Sequence, residues 1–283
     1  MTGTLLTLAV PLLLSAGLSA APAVPAVPAP SAPAAARTEA GFRAVRSFEA
    51  VPAFGITEAS VFEIDPSLFR VRTVSARKAA GKAKVSVQAL RKLLPSAALM
   101  INAGFFNPPD GLLIGDFVEG GARPDGIIYA PGENLDRLFV VGKDGSASVV
   151  NGTEKLGDEQ LAAAVSAVAG KSDWPGHANS TNRSAVCVTP AGKVLIAAVY
   201  PVRTLQKLFA YMESEGCAPG SVVNLDGGGS TQMSCNFGGS AWSFGWERKG
   251  TNVPECHVGG GIDDARCYRA VATFLVVEPR EGK

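Results

Sequence analysis

The stretch VVNLDGGGST, residues 222–231, has the most informative pattern in this chain of 283 residues. Its apolar residues predict a buried strand, which ends in Asn224 and Asp226 ahead of three glycines. Strand ends hold polar side chains rigidly, and ligands gather there. Consecutive glycines let the backbone adopt positive φ and come close to a ligand, so that their N–H groups can converge on an anion. The residues alone leave two interpretations open, a ligand site at Asp226 or a tight Asp-Gly turn.

A second segment, LMINAGFF at residues 99–106, has a similar pattern, because an apolar strand ends in Asn102 and Gly104 follows. Half of the 32 glycines lie in residues 104–126 and 227–261, the two loops that follow these strands. We therefore expect the two loops to form the walls of one site. The first loop also carries four acidic residues that could supply a second carboxylate, and the sequence does not choose among them: Asp110, Asp116, Glu119 and Asp125.

The rest of the pattern predicts an α+β fold, a strand-rich single domain with mixed sheets and a few flanking helices. Short β-rich runs around turn residues predict three hairpins, at residues 61–74, 138–150 and 184–199. Capped or amphipathic segments predict three helices, at residues 87–94 (N-cap Ser86), 159–169 (N-cap Asp158) and 204–215. Further apolar runs predict strands at residues 97–101, 127–130, 221–225 and 268–277.

Charge is distributed unevenly, because residues 1–36 contain no Asp, Glu, Lys or Arg. Within this start, residues 5–18 are an apolar run too short to span a bilayer, and small residues of the type that signal peptidase accepts follow at 19–21. An uncleaved membrane anchor is the alternative. The pattern predicts a periplasmic or extracellular protein with no membrane insertion after signal cleavage, divided into a signal peptide (1–21), a Pro/Ala-rich disordered tether (22–40) and a folded domain (41–280).

The net charge is +1, which gives no electrostatic case for nucleic acid as a partner. The cysteine count is five, and in an exported protein we expect two disulfides with one cysteine left over. Cys187 lies in a predicted strand and Cys217 just after the next helix, so this pair is geometrically plausible. The spacing of Cys256, His257 and Cys267 fits no standard zinc finger, and an oxidising compartment favours disulfides over a zinc site.

Residues 99–106 and 222–231 resemble the two signature segments of the phosphodiester glycosidase family. The sequence Arg-Ser-Ala that begins at Arg183 resembles an Arg-Thr-Ala segment of the family, with Ser in place of the usual Thr. The final strand, from Arg269 onward, resembles the family's closing segment. The resemblance extends from about residue 55 to residue 277. It leaves out residues 235–267, where we expect substrate specificity to differ.

This resemblance implies an exported hydrolase that cleaves a sugar-1-phosphodiester, similar to an N-acetylglucosamine-1-phosphodiester, at the glycosidic C–O bond. The leaving group is then a phosphate monoester, with a second pKa of about 6, which needs charge neutralisation more than a proton. The implied catalytic residues are Asp226, which activates water or stabilises the oxocarbenium-like centre, Arg183 on the phosphate, and Asn102 and Asn224 on the sugar. The implied substrate-binding residues are Gly104, Gly227, Gly228, Gly229, Ser230, Thr231 and Arg269. Arg183 and Asn102 each have a structural alternative, a salt bridge and a cap of the loop backbone.

Two other functions stay open at this point. One is a non-catalytic glycan-binding or exopolysaccharide-assembly module, and the other is a phosphodiesterase that cuts the P–O bond. The expected partner is a sugar-phosphate or glycan phosphodiester. The pattern requires no cofactor, although Asp-Gly loops also bind Ca²⁺.

Overall fold

The structure, a computed structural model, describes residues 38–130, 133–173, 180–238, 240–245, 247–248 and 266–281. The assigned signal peptide, most of the tether, Cys256 and His257 lie outside these residues. The described strands are, in chain order, β1 (Thr38–Glu39), β2 (Phe42–Val51), β3 (Ile56–Ile64), β4 (Phe69–Ser75), β5 (Leu99–Asn102), β6 (Phe117–Glu119), β7 (Arg137–Gly142), β8 (Ala147–Asn151), β9 (Ala164–Gly170), β10 (Thr181–Val188), β11 (Val194–Val202), β12 (Val223–Asn224), β13 (Gln232–Phe237), β14 (Ser240–Gly245), β15 (Glu247–Arg248), β16 (Arg266–Cys267) and β17 (Thr273–Pro279). The described helices are α1 (Ala76–Ala80), α2 (Val87–Leu93), α3 (Asp158–Ala163) and α4 (Leu205–Ser214).

Three sheets carry the fold. The first has six strands in the order β1-β2-β3-β11-β10-β12, the second five in the order β14-β13-β5-β17-β4, and the third four in the order β6-β9-β7-β8. The named strands pair antiparallel throughout the described residues, and one isolated bridge, between Ile114 and Ile128, is parallel. The strand-rich α+β class is thus confirmed, with sheets that are less mixed than expected.

The main apolar core lies between the six-stranded and five-stranded sheets. Phe62 and Ile196 enter it from the first sheet, and the cross-strand neighbours Ile101 and Leu275 enter it from the second. A second cluster packs α4 on the opposite face of the six-stranded sheet, through Leu208 and neighbouring apolar residues. The six-stranded sheet is therefore covered on both faces, which explains why β10 and β11 read as nearly continuous apolar runs.

Several local predictions are confirmed. Ser86 caps α2 by accepting a hydrogen bond from the backbone N–H of Ala89, and Thr204 caps α4 in the same way. Strands β7 and β8 form the expected hairpin, as do β10 and β11. The disulfide between Cys187 and Cys217 is present, and Cys235 is a buried free thiol.

The predicted hairpin at residues 61–74 is wrong. The turn at Asp65 does form, because the Asp65 side chain accepts a hydrogen bond from the backbone N–H of Ser67. The two strands then separate, since β3 pairs with β2 and β11 while β4 pairs with β17. This turn is a corner between two sheets.

The predicted helix at residues 159–169 is also wrong in its second half. Helix α3 ends at Ala163, and Ala164–Gly170 is strand β9, paired with β6 and β7. Gly157, not Asp158, stands at the N-cap. The segment is apolar at nearly every position, and such a run does not distinguish a buried strand from a helix.

Strand boundaries differ from prediction elsewhere too. The loops expected at residues 104–126 and 227–261 contain β6, β13 and β14, and residues 127–130 form only the bridge at Ile128. Strand β1 begins at Thr38, inside the segment assigned to the tether. None of the helices in the described residues is long and apolar enough to cross a bilayer.

Gly170 is expected to be intolerant of substitution, although it does not end a helix. A Cβ atom at this position would lie 2.4 Å from the Asn224 backbone oxygen and 2.4 Å from Val223 Cγ1. We predict that Gly170→Ala lowers the free energy of unfolding by about 1–3 kcal/mol, the usual size for an overpacked core. Urea unfolding measures this change. Gly157→Ala is the control, because the nearest atom to its Cβ is at 3.8 Å; an equal loss in both variants would contradict the packing argument.

Candidate active site

Asp226 lies where the three sheets meet. Its backbone N–H donates to the Ala103 carbonyl, directly after β5 (2.9 Å). Two residues earlier, Asn224 pairs with Ala185 of β10 and bridges to Lys171 at the end of β9. The two glycine-rich segments singled out in the sequence therefore approach each other at Asp226.

Asn102 positions the backbone of Asp226. Its Nδ2 donates to the Asp226 carbonyl (2.6 Å), and its Oδ1 accepts from Ser184 Oγ (2.7 Å) and from the Gln232 backbone N–H (3.1 Å). Asn102 is 1% exposed, and these contacts use both of its polar atoms. They favour the loop-capping role for Asn102 over contact with a sugar. They also explain what Ser at position 184 does, since its hydroxyl fixes the Asn102 amide.

The carboxyl group of Asp226 has a raised pKa. Burial raises its pKa to about 6, although four neighbours act in the opposite direction: the Ser230 hydroxyl, the Gly227 backbone N–H, and the positive charges of Arg269 and Lys171. The Gly227 N–H donates to Asp226 Oδ1 at 2.9 Å. A carboxyl group with a pKa near the working pH is well suited to proton transfer.

Three cationic side chains lie in this region. Arg183, in β10, is 2% exposed, burial lowers its pKa, and it packs against Gly227, where a Cβ would lie 3.6 Å from Arg183 Cδ. Lys171 is also 2% exposed, and its Nζ lies 3.0 Å from Glu133 Oε2. Arg269 is exposed, and its backbone carbonyl accepts from Gln232 Nε2 (2.7 Å). Two of these cations are buried, and Lys171 and Arg269 both act on the Asp226 carboxyl, so the positive charge near this acid favours binding of an anion.

The glycines after Asp226 form a short 3₁₀ turn, Gly228–Ser230. Gly228 has φ of +59°, a left-handed conformation that favours glycine. The Ser230 N–H donates to the Gly227 carbonyl (3.1 Å). Because the Gly227 N–H is directed at Asp226, that donor is already engaged, and an anion cradle here would depend on the rest of the turn. Gly104 is buried, and a Cβ there would lie 3.1 Å from Val168 Cγ2 and 3.5 Å from Thr273 Oγ1.

Buried polar atoms without a partner collect beside this turn. Among the described residues, hydrogen-bond partners are missing for both amide atoms of Asn224, for Asn182 Oδ1 and for Thr231 Oγ1. Asn224 and Thr231 are fully buried, and Asn182 Nδ2 donates to the Gly228 carbonyl (3.3 Å). Folded proteins pair nearly all buried polar atoms, so such a cluster marks a place where a ligand or ordered water completes the bonds.

The four acidic residues of the first loop do not gather at Asp226. Asp116 forms a bidentate ion pair with Arg123 (2.6 and 2.9 Å) and accepts from the Leu156 N–H (2.8 Å). The other three serve local structure or line a separate cleft: Glu119 accepts from Ser75 Oγ (2.7 Å), Asp110 accepts from the Leu112 N–H (2.9 Å), and Asp125 lies in a cleft with Arg77 and Gly111.

Lys171 and Asn182 are site residues that the sequence interpretation missed. Lys171 and Asn224 exchange both backbone hydrogen bonds (2.9 and 3.2 Å), so their side chains lie on the same face as cross-strand neighbours. Lys171 was passed over because residues 159–169 were assigned to a helix. A signal was nevertheless present, since Lys171 directly follows an apolar run that ends in glycine, and Asp226 likewise follows an apolar run next to glycines.

No group of three or more His, Cys, Asp or Glu side chains that could hold a metal ion occurs in the described part of the chain.

A family model described as phosphodiester glycosidase matches residues 96–278. Among solved structures, the zebrafish N-acetylglucosamine-1-phosphodiester alpha-N-acetylglucosaminidase catalytic domain, auto-inhibited by its pro-peptide, is similar with a TM-score of 0.54 and 18% identity, over 78% of this chain and 77% of that chain. A hypothetical protein from Synechocystis has a TM-score of 0.48 and 13% identity, over 87% of this chain and 61% of that chain. No curated protein sequence matches the chain.

Proposed function

The chain belongs to the phosphodiester glycosidase family, and on that basis we propose that it is an exported hydrolase of sugar-1-phosphodiesters. Water attacks the anomeric carbon, the glycosidic C–O bond breaks, and the phosphate leaves as a monoester of its other alcohol. The natural sugar is proposed to resemble N-acetylglucosamine, because the zebrafish enzyme of similar fold carries that substrate in its name.

One observation carries this proposal: unpartnered buried polar atoms surround an acid with a pKa of about 6, next to buried cations. A phosphate leaving group requires positive charge, which Arg183, Lys171 and Arg269 would supply. A sugar requires both donors and acceptors, which the amide of Asn224 and Asn182 Oδ1 would supply.

Asp226 in its ionised form takes the proton of the attacking water, or stabilises the oxocarbenium-like centre, and afterwards releases the proton to solvent. The backbone of Asp226 is held by Asn102 and Ala103, so the carboxyl group is positioned before substrate arrives. Ordinary glycosidases use a second carboxylic acid to protonate an alkoxide leaving group. A phosphate monoester leaves without that proton, so a single acid suffices here.

The direct test is hydrolysis by the purified protein. A panel of N-acetylglucosamine- and glucose-1-phosphodiesters is incubated with and without EDTA, and released sugar is measured. In ¹⁸O-labelled water we expect the label in the sugar. Label in the phosphate identifies a phosphodiesterase that cuts the P–O bond, and no turnover on any substrate favours a glycan-binding module. Loss of activity in EDTA, restored by Ca²⁺, identifies a metal requirement.

The pH dependence of kcat/KM should show the ionisation of Asp226. Because burial raises its pKa to about 6, we predict a tenfold fall in kcat/KM per pH unit below about pH 6 and a plateau above it. The phosphodiester has no pKa in this range, so the fall in kcat/KM at low pH (the acid limb of the profile) comes from a group of the enzyme. A profile that is flat from pH 4.5 to pH 7.5 would exclude a required carboxylate with this pKa.

A further inference from the structure

We propose that Glu133 competes with phosphate for Lys171: it neutralises the Lys171 ammonium in the unliganded protein and is displaced when a phosphate group binds. The inference rests on the proposed function for the location of the phosphate. It goes beyond that function by assigning a role to a residue outside the catalytic group. It also predicts that the native enzyme is tuned to bind phosphate less tightly than the site allows.

Lys171 is almost completely buried. Its side chain is 2% exposed, and its Nζ forms an ion pair with Glu133 Oε2 at 3.0 Å. Below the ammonium lies the ring of Phe105, whose centroid is 5.1 Å from Nζ. A lysine this deeply buried needs an anionic partner, because water cannot solvate its charge. The Lys171 ammonium therefore requires a negatively charged group beside it, both with and without bound ligand.

The two members of the ion pair differ in their exposure to solvent. The Glu133 side chain is 53% exposed, and the residue sits in a turn in which its backbone N–H donates to the Ala130 carbonyl (2.8 Å). An exposed carboxylate regains hydration when it separates from its partner, so breaking the pair costs little on that side. The buried Lys171 side chain cannot regain hydration in the same way, so we expect one anion to replace another at its Nζ.

The ion pair of Lys171 and Glu133 is connected to the candidate active site. The backbone of Lys171 is bonded to Asn224, and its positive charge lowers the pKa of the Asp226 carboxyl. Arg269 acts on the same carboxyl. A phosphate group has more acceptor oxygens than a carboxylate, and as a monoester it carries more charge, so it can engage these cations together. Phosphate would therefore displace Glu133, and Glu133 would in turn weaken binding of the phosphate product.

The test is Glu133→Gln, which keeps the shape of the side chain and removes its charge. Calorimetric titration with inorganic phosphate at pH 7 should show binding about 5- to 20-fold tighter than in the native protein, which is the lower part of the usual range for coupled ligands. In kinetics with a sugar-1-phosphodiester, KM should fall and kcat should stay within about twofold. Glu133→Asp, which restores the charge, should return phosphate affinity toward the native value. The matched control is Glu63→Gln, because Glu63 forms a surface ion pair with Arg43 at 3.0 Å and should leave phosphate affinity unchanged.

Equal phosphate affinity in the native protein and in Glu133→Gln would overturn the proposal, as would absence of phosphate binding in both. A large fall in kcat at unchanged phosphate affinity would also overturn it, and would make Glu133 a group of the chemistry itself. Phosphate binding is measured without turnover, so the two hypotheses separate. Tighter phosphate binding in a protein that hydrolyses no sugar-1-phosphodiester supports the competition and rejects the proposed function; hydrolysis with unchanged phosphate affinity does the reverse.

Discussion

Asp226→Asn is expected to lower kcat/KM by at least about 1000-fold, the size associated with loss of a general base or of a charge that stabilises the transition state. Asparagine has the same shape as aspartate and can still accept the Gly227 N–H that now bonds Asp226 Oδ1. The backbone contacts of Asp226 with Ala103 and Asn102 do not involve the side chain. The variant therefore removes the ionisable group and leaves the local structure intact.

The same substitution should not destabilise the protein. Burial raises the pKa of Asp226 from its ordinary value of 3.8 to about 6, so the folded state holds a proton that the unfolded state releases between about pH 4 and pH 6. Stability falls as pH rises through that window, and above pH 6 the half-buried carboxylate opposes folding. Asparagine removes this effect, so at pH 7 the variant should unfold at the same temperature as the native protein or higher.

Activity assays and thermal unfolding at pH 5 and pH 7 test both halves of this prediction. Asp144→Asn is the matched control, because Asp144 lies in the exposed β7–β8 turn and accepts from the Ser146 N–H; it should keep native activity. Full activity of Asp226→Asn would reject Asp226 as the catalytic group. An inactive but strongly destabilised Asp226→Asn would show that the residue is structural.

Apolar runs and strand ends account for the parts of the site that could be predicted from sequence. Strands β5 and β12 fall within the predicted segments, and the residues that follow them approach each other through the bond between Asp226 and Ala103. Periodicity could not reveal which strands pair. The turn at Asp65 is correct as a turn, but its flanking strands join different sheets, because pairing depends on partners far away in the chain.

Side-chain roles were harder to predict than elements. For Asn102 the sequence allowed a contact with the sugar or a cap of the loop backbone, and its amide holds the Asp226 backbone. That outcome depends on Ser184 and Gln232, which come from two other strands. Lys171 was hidden by a helix assignment over an alanine-rich run that pairs in a sheet. In both cases the decisive information is tertiary, since a polar residue is assigned to a ligand or to the scaffold by the groups that face it.

Lys171→Met is the second large effect, with an expected fall in kcat/KM of about 100- to 1000-fold, the range for loss of one buried group that stabilises transition-state charge. Methionine fills the space of the lysine stem and can pack on the Phe105 ring that now lies below Nζ. The variant removes a charge that the proposed mechanism uses on the departing phosphate. If the charge acts mainly as phosphate leaves, kcat carries most of the fall; if it acts mainly on bound substrate, KM carries most of it.

A second readout separates this role from a structural one. The charge of Lys171 lowers the pKa of Asp226, so Lys171→Met should move the acid limb of the kcat/KM profile to higher pH, while Lys171→Arg should keep the limb near its native position. Lys193→Met is the control, because Lys193 pairs with Asp65 on the surface and should change neither rate nor profile. A Lys171→Met protein with reduced activity and an unmoved acid limb would place Lys171 in the scaffold. The upward shift instead requires that its ammonium acts on Asp226 across the bridge that joins β9 to β12, so the contact between these two strands would then be part of the catalytic machinery.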